Sequence, residues 1–173
     1  MKTTRLFYIC KKEVLKNWYL LIGFLLVLGS CNYYDVHKSL GVFEKTAFFP
    51  DHTWASSNMP SFTFTVTDTS ASYNFYVVIR HTAAYPFNNI WLNLTTTDPG
   101  YAAVSQKLNL KLGDNTKGWL GTGMDDVYDH RILINRYPEK LKPGNYTFRL
   151  EQIMRQDPLP EILNAGIRIE KIS

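Results

Sequence analysis

The chain has 173 residues, 45% hydrophobic, 14% aromatic and 20% charged, a globular composition that excludes disorder, collagen and a polytopic membrane protein. Its formal charge of +4 is unevenly placed: within residues 1–30, Lys2, Arg5, Lys11, Lys12 and Lys16 face Glu13 alone, and the remaining chain, with 14 basic and 14 acidic side chains, is neutral. A neutral body argues against nucleic acid as a partner, and the length predicts a single folded domain.

The first 17 residues are basic, and Trp18 to Leu28 is an unbroken apolar run of 11 residues. A helix needs about 20 apolar residues to cross a bilayer, so this run reads as the hydrophobic region of a signal peptide. The following Leu28-Gly29-Ser30-Cys31 resembles the lipobox of bacterial lipoproteins. There, small residues fit the signal-peptidase cleft, and the cysteine carries a diacylglycerol thioether and then an N-acyl chain. This reading assigns residues 1–30 to the signal peptide, 31–50 to a lipidated N-terminus and tether, and 51–173 to a folded domain.

Cys31 becomes the mature N-terminus and Cys10 leaves with the signal, so no thiol remains for a disulfide, a metal site or a nucleophile. No cofactor is implied beyond the covalent lipid. Each buried CH₂ contributes ~0.8 kcal/mol, and two or more acyl chains make membrane attachment effectively permanent. A lipoprotein of this type without Asp after the cysteine is expected at the outer membrane, and Asn32 stands there. Asn32-Tyr33-Tyr34-Asp35 lacks the acidic run that marks surface export, which favours the periplasmic face.

Val42, Phe43, Phe48 and Phe49 are too apolar for a free linker, so the tether is expected to join the sheet partway, with Val36–Phe43 as a strand candidate. Beyond residue 50 the hydrophobic period is two. Alternating runs cover Ser61–Thr67, Tyr73–His81, Ile90–Thr95, Gln106–Leu112, Arg131–Arg136, Asn145–Glu151 and Gly166–Lys171. Turn residues separate them, as in Asp98-Pro99-Gly100 and Pro143-Gly144-Asn145. Short alternating strands without a long helical pattern predict an all-β antiparallel sandwich, jelly-roll or immunoglobulin-like. Leu159–Asn164 is the one helical candidate, of a turn or two.

No motif in the chain announces catalysis. His37, His52, His81 and His130 lie 15, 29 and 49 residues apart, without the close pairing of zinc sites. Gly118-Trp119-Leu120-Gly121-Thr122-Gly123 lacks the lysine of a phosphate loop and reads as a tight bend around a packed tryptophan. The cluster containing Asp125, Asp126 and Asp129 offers hard oxygen ligands for calcium, yet lacks the ligand order and glycine of an EF-hand; a solvated loop is the simpler reading. Plentiful aromatics, Trp54, Trp91 and Trp119 among them, leave a carbohydrate-binding envelope lipoprotein as the alternative function, although core packing accounts for most such rings.

Several segments in fixed order carry a resemblance. They are the lipobox with Tyr34-Asp35, Ile79-Arg80-His81-Thr82, Tyr85 to Leu92, Gly118 to Gly123, Glu151 to Arg155, Asp157-Pro158-Leu159-Pro160, and Gly166 to Glu170. Together they resemble the gliding motility-associated lipoproteins of the GldH family. The resemblance implies a non-enzymatic outer-membrane lipoprotein that assists surface gliding and its coupled protein-secretion machinery, with other envelope proteins of that machinery as partners. Arg80 and His81 at a strand end, Trp91 after a turn, and Arg155 and Asp157 on a proline-stiffened crossing are the candidate partner-binding residues.

Overall fold

In the computed structural model, residues 41–172 are described; the signal-peptide, lipobox and Cys31 assignments lie outside them. Eight strands of six or more residues form the frame: β1 Val42–Phe48, β2 Ser61–Val66, β3 Ser72–Thr82, β4 Asn89–Thr97, β5 Val104–Lys111, β6 Val127–Leu133, β7 Gly144–Gln152 and β8 Ile162–Ile172. They pair antiparallel in two sheets, β1-β8-β3-β6 and β2-β7-β4-β5; Thr122–Met124 extends the first beyond β6, and Glu139–Lys140 also pairs with β3. No helix forms among the described residues.

Alternation supplies the core between the sheets. Phe75, Val77 and Ile79 of β3 and Ile167 and Ile169 of β8 meet Phe62, Leu92, Leu94, Tyr146, Phe148 and Leu150 of the second sheet, all buried. Each fully buried side chain of this kind contributes about 1.5–3 kcal/mol, so the domain holds together by burial. Trp54 is fully buried as well, stacked on Phe49 with ring centroids 5.2 Å apart, and its indole N–H donates to the Asn58 carbonyl at 2.7 Å.

The segment read as a tether enters the sandwich. Val42–Phe48 pairs along its whole length with β8, so the sandwich includes residues ahead of residue 51. Phe43 and Ala47 pack against the core, which is why these residues are too apolar for a linker. The helical expectation for Leu159–Asn164 is overturned: Leu159–Pro160 and Ile162–Ile172 are strands, and the register with β3 shifts between Ile162 and Asn164. That bulge leaves Ile162 and Leu163 both buried, a spacing that breaks the period of two and imitates a helix. Val127–Leu133 likewise forms the strand expected at Arg131–Arg136, displaced toward the N-terminus.

The outer face of the first sheet is covered by a lattice of charges. Glu44 of β1 accepts two bonds from Arg131 of β6, both 3.0 Å, and one from Arg168 of β8 at 2.8 Å. Arg131 also bonds Asp129 at 3.1 Å, and Arg80 bonds the same carboxylate at 3.2 Å. Burial opposes ionisation of Glu44, but the two guanidiniums outweigh it and hold the carboxyl below its ordinary value. The register sets Glu44 opposite Arg168 and Arg131 opposite Val78, which is 2% exposed.

Gly166 is required by close approach. A Cβ there would lie 2.2 Å from the Lys45 carbonyl oxygen and 2.6 Å from the Thr46 Cα, both backbone atoms of β1. Gly166→Ala is expected to displace β1 and destabilise the fold by about 1–3 kcal/mol, read as a lowered denaturation midpoint. An unchanged midpoint would mean that β1 contributes nothing to cooperative stability.

Candidate functional site

The sequence-predicted residues fall in four places. Trp91 and Arg155 come together; Arg80, His81 and Asp157 stand apart from them and from one another.

Trp91 lies on β4, whose inward positions are Ile90, Leu92 and Leu94, so the alternation turns the indole outward, where the residue is 41% exposed. The segment after β7 straps it in place. Ile153 N–H donates to the Trp91 carbonyl at 3.0 Å, and Trp91 N–H donates to the Met154 sulfur at 3.2 Å. The strap is itself turned by Gln152, an amide at an inward position of β7 and fully buried. Its oxygen accepts from Met154 N–H at 2.9 Å, and its NH₂ donates to Asp157 at 3.0 Å and to the Trp54 carbonyl at 3.4 Å. A groove of about 490 Å³ results, lined by Phe87, Asn89, Trp91, Lys107, Ile153, Met154 and Arg155. Its two charged residues are cations, and no carboxylate lines it.

Asp157 is structural. Its oxygens accept from Ser56 N–H at 2.8 Å and Ser56 hydroxyl at 2.6 Å as well as from Gln152, and these donors hold its carboxyl below the ordinary value. The residue itself stays exposed, with its oxygens bonded within the fold.

The expectation for His81 is corrected. It sits at an inward position of β3, fully buried, and its Nε2 lies 2.9 Å from Nε2 of His130, also buried. His81 Nδ1 stands 2.8 Å from the Thr82 carbonyl, which can only accept, so that nitrogen carries the proton. In the neutral ring Nε2 is then an acceptor, and His130 Nε2–H donates to it. Trp119, Tyr85 and Tyr128 close over the His81 ring, with centroids 4.4, 5.1 and 5.8 Å away. Burial lowers the pKa of both imidazoles, that of His130 to about 4, with the neighbouring His81 adding to the effect. Gly121 permits the pair, because a Cβ there would fall 2.8 Å from His130 Nε2.

The suggested calcium ligands do not converge. Asp125 and Asp126 occupy the exposed turn before β6, and Asp129 is engaged by Arg80 and Arg131 on the sheet's outer face. Among the described residues, no group of three His, Cys, Asp or Glu side chains is placed to hold a metal.

Sequence reasoning gave no role to Gln152 and His130, which stand one residue beyond the runs Asn145–Glu151 and Arg131–Arg136, in phase with their inward positions. It also could not show that Asp98 and Glu139 line one cavity of about 190 Å³ between the sheets. Burial, then Asp98, raises the carboxyl of Glu139.

The architecture is that of an antiparallel β-sandwich with a solvent-facing aromatic and basic groove on one sheet. The chain belongs to the GldH lipoprotein family, whose profile matches residues 41–169. It is similar to the gliding motility lipoprotein GldH of Flavobacterium johnsoniae, 25% identical over 168 residues, or 91% of this chain and 98% of that one. A GldH homolog of Christiangramia forsetii is 23% identical over 163 residues, covering 88% and 94%. The mosquito-larvicidal Cry4Aa toxin of Bacillus thuringiensis overlaps with a TM-score of 0.41 and 15% identity, over 75% of this chain and 21% of the toxin, too loosely to carry an argument.

Proposed function

We propose that this motility lipoprotein is held at the outer membrane, on its periplasmic face, by acyl chains on Cys31 and serves as a non-enzymatic accessory or scaffold of gliding and its associated secretion machinery. The observation that carries the reading is the family match over residues 41–169, together with relatives that are co-extensive with this chain. Ten residues lie between Cys31 and the first strand, a span of roughly 40 Å at most from Cys31 to Val42, so the anchor keeps the sandwich close to the membrane. The side chains also support a scaffold: the imidazole pair is closed off from solvent, and Glu44, Asp129 and Asp157 are engaged in bonds that hold the fold. Partners are expected among the envelope proteins of the same machinery.

Cys31→Ala tests the anchor. The variant is expected to move from the membrane to the soluble fraction and, in Flavobacterium johnsoniae cells lacking their own GldH, to fail to restore spreading that the unaltered chain restores. A soluble variant that supports full spreading would overturn the role of the anchor. Crosslinking in cells is expected to recover motility or secretion components; recovery of the lipoprotein alone would overturn the scaffold reading.

A further inference from the structure

We propose that the groove around Trp91 binds an anionic saccharide. The inference stands apart from the motility reading, since it rests on the groove alone. Three observations meet there.

First, the indole of Trp91 is 41% exposed and, among the described residues, no other aromatic ring stacks on it. Its backbone is fixed on both sides by the 153–154 strap, so the ring is presented from a rigid strand. An exposed flat ring of this kind packs by dispersion against the C–H face of a pyranose while the sugar hydroxyls stay wet.

Second, Lys107 and Arg155 flank the ring, and among the described residues neither is paired with a carboxylate. This contrasts with the opposite sheet, where Arg80, Arg131 and Arg168 all have acidic partners. Two unneutralised cations beside one exposed indole select a ligand that carries negative charge, such as a uronate carboxylate or a sugar phosphate.

Third, an amide pair stands at the groove beside its apolar lining of Phe87, Trp91, Ile153 and Met154. Asn89 donates to Asn109 at 2.7 Å, which leaves the Asn89 oxygen to accept and the Asn109 NH₂ to donate to hydroxyls. An acidic peptide fits less well. Trp91 stands on β4 between β7 and β5, so an extended chain could pair only with the outer edge of β5, one strand away from the ring.

The test uses the full chain in detergent and measures binding to polygalacturonate, dextran and polyglutamate by calorimetry. Binding to polygalacturonate is expected, weakening as salt rises, with dextran and polyglutamate bound at least about tenfold more weakly. Trp91→Ala is expected to weaken polygalacturonate binding about tenfold or more, and Lys107→Gln with Arg155→Gln to abolish it, with unfolding midpoints unchanged. Absence of polygalacturonate binding would overturn the proposal. So would polyglutamate binding of equal strength, which would make the groove an acidic-peptide site, or a Trp91→Ala variant that binds as well as the original chain.

Discussion

Trp54→Ala is expected to destabilise the domain by about 3–5 kcal/mol, a large fraction of the ~5–15 kcal/mol available to a domain of ordinary stability. The indole is fully buried and stacks on Phe49, and its N–H bonds the Asn58 carbonyl. Truncation therefore opens a cavity against Phe49 and leaves that carbonyl without its partner. The consequence reaches the groove, because the Trp54 carbonyl accepts from Gln152, whose oxygen turns the strap that holds Trp91. Trp54→Phe keeps a ring against Phe49 and loses only the N–H bond and part of the volume, so an intermediate loss is expected. Urea denaturation of the three chains checks the order. A loss below about 1 kcal/mol for Trp54→Ala would place this ring outside the cooperative core.

Acidification is expected to weaken the fold before any of the depressed carboxylates respond. Above pH 6.5 both imidazoles of the buried pair are neutral in the folded and unfolded chain, and the full stability is present. As the pH falls through 6.5 the unfolded chain takes up protons that folded His130, with its pKa near 4, refuses. Each pH unit in that window then removes roughly 1 kcal/mol for His130, reaching a few kcal/mol by about pH 4, and His81 adds a loss of the same sign. Glu44 and Asp157, held below their ordinary values, contribute stability that is lost only at lower pH. Hence the loss between pH 6.5 and 5 belongs to the histidines, opposed by Glu139, whose raised carboxyl favours the fold as it takes up its proton. His130→Gln retains an NH₂ to donate to His81 and cannot titrate, so its stability curve should be flatter there. Identical slopes for the two chains would show that the pair is not the cause.

Strand existence and inward faces were legible because they depend on a period of two, a local property of residues such as Phe62-Thr63-Phe64 or Ile167-Arg168-Ile169. Trp91 was marked by its place after a turn. Family membership was legible because short segments in fixed order carry it along the whole chain. Where the period is broken, as at the bulge between Ile162 and Asn164, the local signal imitated a helix. Strand pairing with β3 and β1 overrode it.

Residues far apart in sequence acquire their roles only through contact. His81 and His130, 49 positions apart, meet because β3 and β6 pair in a register that sets Ile79 opposite His130. Glu44 meets Arg168 because the first and last strands are neighbours in one sheet, and Arg131 joins them from β6 across the same face. Asp157 bonds Ser56, 101 positions away, while Arg155 was left lining the groove. The sequence by itself determined the sandwich, the alternation that buries its core and the family to which it belongs, since periodicity and segment order are written along the chain. Which polar residues are buried and which remain available to a ligand was decided by the tertiary structure, because burial and charge pairing depend on distances across strands that no local spacing encodes.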